Sequence, residues 1–181
     1  MTIGRLIAVV GPSGVGKDSV MVGMVVSDPT LHLVRRTITR ASELGGEDHD
    51  AVTVAEFETL VASDHFSVHW GAHDLRYGIP KSVHDVLQSG TDCLANFSRS
   101  ALLAGQSAFA HFRVLNITAN SETLAARLAA RGRESDVQIA KRLAQAAKPL
   151  PDGLDVITLS NDGLLEDAVA RALSQLQPVR A

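Results

Sequence analysis

Apolar runs alternate with helical patterns along most of this chain, and that alternation predicts an α/β fold with a mainly parallel sheet. Leu6 to Val10 is a continuous apolar strand, followed by a Gly-rich turn and a helix from about Lys17 to Val26 that Asp28-Pro29 stops. Leu31 to Val34, Thr91 to Asn96, Phe112 to Ile117 and Val156 to Leu159 supply four more strands, giving five. Between them the pattern predicts helices from Pro80 to about Ser89 and from Arg99 to Ala108. Another starts at Asn120 or Ser121, carries Leu124 and Leu128 one turn apart, and ends near Gly132. Ser135 and Gln138 form a capping box for a helix to about Ala147, and Leu164 to Leu176 is the last.

The stretch from about residue 35 to residue 79 breaks this rhythm. It is polar, contains Gly and His, and shows one helical turn near Ala55 to Ala62. A long excursion between two core elements is more often functional than idle. His65, His69 and His73 are spaced as a helical metal stripe would be, but Phe66-Ser67-Val68-His69-Trp70 alternates as a strand before a turn. The histidines are therefore read as polar or acceptor-contacting groups, not as metal ligands.

Bulk composition narrows the function classes. The 181 residues are 45% hydrophobic and 20% charged, ordinary for a soluble globular protein, with a net charge of −3. Nucleic acid is not expected as the main partner, because a basic excess is missing. A membrane span is not expected either, since no stretch approaches the ~20 apolar residues one needs. The N-terminus enters a strand with no signal-peptide pattern, so a soluble, cytoplasmic protein is expected. The single cysteine, Cys93, lies in the apolar run Cys93-Leu94-Ala95 and reads as a small buried hydrophobe.

The first turn carries the chemistry. Gly11-Pro12-Ser13-Gly14-Val15-Gly16-Lys17 matches G-x-x-x-x-G-K between a predicted strand and a predicted helix. Glycines let such a loop wrap so that backbone N–H groups point at phosphate oxygens, the helix start adds its positive dipole end, and the lysine reaches the β- and γ-phosphates. ATP is the expected cofactor, bound by Gly11 through Ser19, with Mg²⁺ beside it.

Two positions depart from the usual pattern. Asp18 follows the lysine where Ser or Thr usually ligates Mg²⁺, and the third strand ends in Asn96 where an acid is usual. A carboxylate is a good hard ligand, so Asp18 is the candidate metal residue, with Ser19 as a substitute hydroxyl. Further on, Arg127, Arg131 and Arg133 cluster around Gly132, and Arg142 lies one helix later. Arginines in such a flap can pair with phosphates and stabilise a transferring phosphoryl group. The alternative is a set of solvated arginines. Asn161-Asp162-Gly163 follows the fifth strand at its carboxyl end; it reads equally as a nucleotide-base contact or as a simple turn.

Several stretches together resemble the guanylate-kinase-like branch of the nucleoside monophosphate kinases. They are the phosphate loop, Thr37-Ile38-Thr39-Arg40, Gly45-Gly46-Glu47, Tyr77-Gly78-Ile79-Pro80, Arg131-Gly132 with Arg142, and Asn161-Asp162. The resemblance implies one P-loop kinase domain with a core (1–34 and 80–181), an acceptor-binding insert (about 35–79) and a lid (about 131–142). It also implies a purine-reading glutamate at the position of Val68 and a phosphate-binding tyrosine at the position of His49. Neither is present.

Aspartate at position 18 is more similar to the ribose 1,5-bisphosphate phosphokinases of phosphonate utilisation, the PhnN type. Trp70, Asn96 with Ser98-Arg99, Arg131-Gly132-Arg133-Glu134 and Asn161-Asp162-Gly163 agree with that branch. The resemblance implies phosphoryl transfer from ATP to a sugar bisphosphate, giving 5-phosphoribosyl 1-diphosphate. Lys17, Asp18, Arg131, Arg133 and Arg142 would do the catalytic work. Asn161 would join the ATP site, and Arg36, Thr39, Arg40, Tyr77 and Arg99 would hold the acceptor. Rival readings are a nucleoside monophosphate kinase with altered base choice and a non-catalytic binding module.

Overall fold

The computed structural model describes residues 3–41, 47–130, 132, 135–146 and 148–177. Its main sheet has the order β2-β7-β1-β8-β9 and is parallel throughout: β1 (Leu6–Val10), β2 (His32–Leu33), β7 (Cys93–Asn96), β8 (Phe112–Thr118) and β9 (Val156–Ser160). Every residue of β1 is buried, as the central strand of a sheet covered on both faces must be. Its alternate side chains divide between two cores. Ile7 and Val9 pack with Met21, Met24, Val169 and Ala172, under α1 (Lys17–Ser27) and α7 (Leu165–Leu176). Leu6, Ala8 and Val10 pack with Val83, Leu87, Ala101 and Leu102 on the opposite side, under α3 (Val83–Gln88) and α4 (Leu102–Ala108). Each fully buried Leu or Ile is worth about 1.5–3 kcal/mol of transfer free energy.

A glycine sets the approach of α1 to α7. A Cβ on Gly23 would lie 2.7 Å from Val169 Cγ2, so the two helices meet at a spacing that only Gly allows.

The remaining strands form a second sheet, β4-β3-β6-β5, from β3 (Arg36–Ile38), β4 (His49–Ala51), β5 (Phe66–Ala72) and β6 (Leu75–Pro80). The excursion is therefore a sheet with one helix, α2 (Val54–Ala62), where the sequence predicts short broken pieces. Thr53 and Glu56 cap α2 reciprocally. Phe66 and Val68 are buried and His69 is exposed, the alternation expected of a strand. This sheet docks on the core through Val68, Ile79 and Trp70.

Two boundaries differ from expectation. Pro80 closes β6 and the helix starts at Val83, because Pro fits either a strand end or a helix start and pattern alone does not separate them. The second strand shrinks to His32–Leu33, an edge with a single neighbour. In the C-terminal half, α5 (Ser121–Ala130) and α6 (Asp136–Ala146) follow β8, and the Ser135–Gln138 capping box is present. No side chain of α6 is buried.

Candidate active site

Parallel strands β1 and β7 end side by side, with Val9 paired to Asn96, and Gly11 begins the phosphate loop at that edge. Ligands bind at the carboxyl ends of such strands. A cleft of about 610 Å³ opens there. It is lined by Gly11, Pro12, Ser13, Lys17 and Asp18 from the loop and by Arg36, Arg40, Glu47 and Tyr77 from the insert, with Arg142 from α6.

The loop is held in shape from beneath. Gly14 (φ 83°) and Gly16 (φ 92°) adopt left-handed backbone, which bends the chain into the start of α1. The Val15 carbonyl accepts from Asn161 Nδ2 at 2.8 Å and from Arg127 Nη1 at 3.2 Å. Arg127 Nη2 also donates to the Asn161 carbonyl at 2.8 Å. Lys17 Nζ donates to the Gly11 carbonyl at 2.9 Å and to the Pro12 carbonyl at 3.3 Å. Arg142 Nη1 donates to Ser13 Oγ at 2.5 Å, which brings α6 over the loop.

Beside the loop, two carboxylates share one amide. Asn96 Nδ2 donates to Asp18 Oδ1 at 2.6 Å and to Glu47 Oε2 at 2.5 Å. Glu47 Oε1 in turn accepts from Arg36 Nε at 2.6 Å. Arg36 is buried, donates to the Asn96 carbonyl at 3.2 Å, and lies over the Tyr77 ring at 4.8 Å from its centroid. Trp70 stacks on both Tyr77 and Phe97, and its Nε1 donates to Ser98 Oγ at 2.8 Å. Burial raises the Tyr77 phenol above its ordinary pKa, against the pull of Arg36 and Arg40, so it faces the cleft as a protonated donor. Arg40 Nε is buried with no partner among the described residues.

Asp18 offers a hard oxygen ligand in the cleft next to the lysine, a donor set that suits Mg²⁺. Ser19 does not share that position. It lines a separate cavity of about 370 Å³ with Gly14, Gly16, Arg127, Asn161 and Gly163 on the other side of the loop.

The other residues picked from the sequence fall into distinct places. Arg36, Arg40, Tyr77 and Arg99 converge on the cleft. Arg99 spends its guanidinium on the carbonyls of Gln145, Ala146 and Lys148, clamping the end of α6. Thr39 does not line the cleft; its Oγ1 accepts from the Arg76 N–H at 2.8 Å within the insert sheet. The Asn161 amide nitrogen is spent beneath the loop, while its Oδ1 is buried with no partner among the described residues. Asp162 accepts from Ser160 Oγ and from the Asn120 N–H, which lower its pKa and fix the turn. Arg131 and Arg133 lie outside the described residues. Glu47 is the residue that sequence reasoning passed over: an acid after Gly45-Gly46 reads as turn chemistry, and nothing local signals its partners.

Positions 49 and 68 are resolved as well. His49 is buried, its ring nitrogens 2.9 Å from the Glu47 carbonyl and 3.0 Å from the Arg40 carbonyl, so it ties Glu47 to Arg40. Val68 is 4% exposed and points into the core with Ile79 and Val83.

The family model described as guanylate kinase matches residues 3–177. The chain belongs to the guanylate kinase family. Within it, the chain is 51% identical over 179 residues to a ribose 1,5-bisphosphate phosphokinase PhnN of Ruegeria sp. (strain TM1040), covering 98% of this chain and 94% of the other. It is 43% identical to the protein of that name from Agrobacterium fabrum, covering 95% and 96%. Among solved structures, guanylate kinase from Anaplasma phagocytophilum superposes with a TM-score of 0.74 at 18% identity, over 97% of this chain and 85% of that one. That likeness extends the guanylate kinase fold to both sheets. No helix of the described residues is long and apolar enough to cross a membrane.

Proposed function

We propose that this chain transfers the γ-phosphoryl group of ATP to ribose 1,5-bisphosphate, giving ADP and 5-phosphoribosyl 1-diphosphate. An oxygen of the acceptor's 1-phosphate forms the new P–O bond, and the bond from the γ-phosphorus to the β-phosphate bridging oxygen breaks. The attacking oxygen is already ionised at neutral pH, so no general base is needed. The work left to the protein is positioning and charge stabilisation.

Lys17 and the loop amides hold the ATP phosphates, and Asp18 is the residue that would hold Mg²⁺. The ion would neutralise charge on the β- and γ-oxygens. Arg142, beside Ser13, faces the transferring group, and Arg131 and Arg133, which lie outside the described residues, are assigned to the same work by the family resemblance alone. Arg40 grips an acceptor phosphate, Tyr77 donates to it, and Arg36 fixes the floor they stand on. The reaction belongs to phosphonate utilisation and takes place in the cytoplasm, where ATP is.

The observation that carries this reading is the Arg40 Nε, unpartnered among the described residues, at the acceptor side of a cleft whose other side is the phosphate loop. A buried guanidinium nitrogen with no acceptor is a cost that a phosphate oxygen relieves. Val68 supports the same acceptor class, because an apolar side chain turned into the core cannot read a purine edge. The test is ³¹P NMR of the purified protein with ATP, Mg²⁺ and ribose 1,5-bisphosphate. A new pair of coupled diphosphate signals alongside ADP is expected; ADP without that pair overturns the assignment.

A further inference from the structure

The two departures from the usual phosphate-loop pattern meet in space. In the usual arrangement a hydroxyl follows the lysine and an acid ends the neighbouring strand. Here the acid, Asp18, follows the lysine, and an amide, Asn96, ends the strand. The amide nitrogen has two hydrogens, and each goes to a carboxylate: Asp18 at 2.6 Å and Glu47 at 2.5 Å. Asn96 is 6% exposed, and its Oδ1 is buried with no partner among the described residues. Among the described residues the side chain is thus held by its nitrogen alone, at the cost of an orphaned oxygen.

We propose that Asn96 is a two-armed positioning residue that ties the metal-side carboxylate, Asp18, to the acceptor-side pair Glu47–Arg36. The proposal rests on reading the cleft as a Mg²⁺-dependent kinase site, and it adds a role for two of the residues that line it, Asn96 and Glu47. Short N–H···O⁻ bonds are strong and directional, so one amide fixes both carboxylates against a common point. Arg36 offsets Glu47 through its Nε bond of 2.6 Å, which leaves the Asp18 charge for the cation. The same Arg36 donates to the Asn96 backbone carbonyl at 3.2 Å, closing a ring from β7 through Glu47 to β3 and back. Aspartate at position 96 would replace both donations with a third carboxylate between two others. The amide serves Asp18 and Glu47 together without adding a charge of its own. Outer residues that orient a ligand in this way are typically worth 10–100-fold in metal affinity.

The consequence is that Glu47, on the acceptor side, sets the strength of the Mg²⁺ site through Asn96. Mg²⁺ is titrated against the protein in the presence of adenylyl imidodiphosphate, with binding read by calorimetry, for the wild type and for Glu47→Ala, Asn96→Ala and the double variant. Glu47→Ala is expected to weaken Mg²⁺-dependent binding about 3–10-fold and Asn96→Ala about 10-fold or more. The double variant is expected to lie within twofold of Asn96→Ala, and binding of the nucleotide analogue without Mg²⁺ to stay within twofold throughout.

Asn96→Ser, whose hydroxyl has one hydrogen and so serves only one carboxylate, replaces Asn96→Ala if the latter does not fold. It should fall between wild type and the alanine effect. Unchanged Mg²⁺ affinity in Glu47→Ala, or effects that multiply in the double variant, overturns the relay. None of these readouts uses the acceptor, so they stand apart from the test of ribose 1,5-bisphosphate as substrate.

Discussion

Replacing Asn161 by leucine removes one of two side-chain donors that hold the Val15 carbonyl beneath the phosphate loop. The lost bond is 2.8 Å from Asn161 Nδ2, and the remaining one is 3.2 Å from Arg127 Nη1. A buried bond of this kind contributes about 1 kcal/mol net, and leaving its acceptor poorly satisfied adds up to about 1–2 kcal/mol more. Leucine also removes the orphaned Oδ1, which offsets part of the loss. The balance is about 1–2 kcal/mol on the loop conformation, or roughly 5–30-fold in affinity for the triphosphate.

The cost falls on the loop, so the KM for ATP should rise while kcat at saturating ATP stays within about threefold. Asn161→Asp should cost more, since it sets a carboxylate against the Val15 carbonyl. Arg127→Met should show more than additive loss when combined with Asn161→Leu, because both side chains serve the same oxygen and only the double variant leaves it without either donor. The assay is initial rate against ATP concentration at fixed acceptor, with calorimetric binding of a non-hydrolysable analogue as a second readout. ATP affinity within twofold of wild type in both single variants would refute the support mechanism.

Three shorter expectations follow from packing and burial. Gly23→Ala forces a methyl within 2.7 Å of Val169 Cγ2 and should cost about 1–3 kcal/mol, read as a lower midpoint in urea with an unchanged slope. Val68→Glu, which restores the family's purine-reading residue in sequence, should destabilise by several kcal/mol without conferring GMP turnover, because the side chain enters the core; GMP phosphorylation by a folded variant would contradict the burial argument. Burial, with the Asp92 charge beside it, pushes the Cys93 thiol up to about 12, so iodoacetamide should leave it unmodified at pH 9 until denaturant is added. The unfolded thiol loses its proton near its ordinary pKa and the folded one does not. This group's share of stability is therefore intact below about pH 8.5 and falls as pH rises toward 12, which an alkaline melting series measures.

What was legible in the sequence follows from where the partners of each residue lie. The phosphate loop is a local pattern, and five strands and most of the core helices follow from apolar runs whose neighbours are similar runs. Of the insert sheet only the alternation of β5 was legible, because β3 buries Arg36 and Thr37 instead of alternating apolar side chains. Arg36 is satisfied there by Glu47 and by the Asn96 carbonyl, the latter 60 positions away, and no local pattern announces such partners. The same reason hid the roles of the arginines. From spacing, Arg36, Arg40 and Arg99 look alike; in the structure one is floor, one faces the cleft with a nitrogen that has no partner among the described residues, and one clamps α6. Asn96 could be seen as irregular in sequence, but its link to Asp18 needed the register of β1 and β7.

The most direct test of the central claim is the ratio of kcat/KM for ribose 1,5-bisphosphate to that for GMP, measured on the same preparation with ATP and Mg²⁺. A site that lacks the polar groups a purine requires should discriminate by about 10⁴ or more in favour of the sugar bisphosphate. A ratio near one, or one that favours GMP, would contradict the assignment of a base-free acceptor to this cleft.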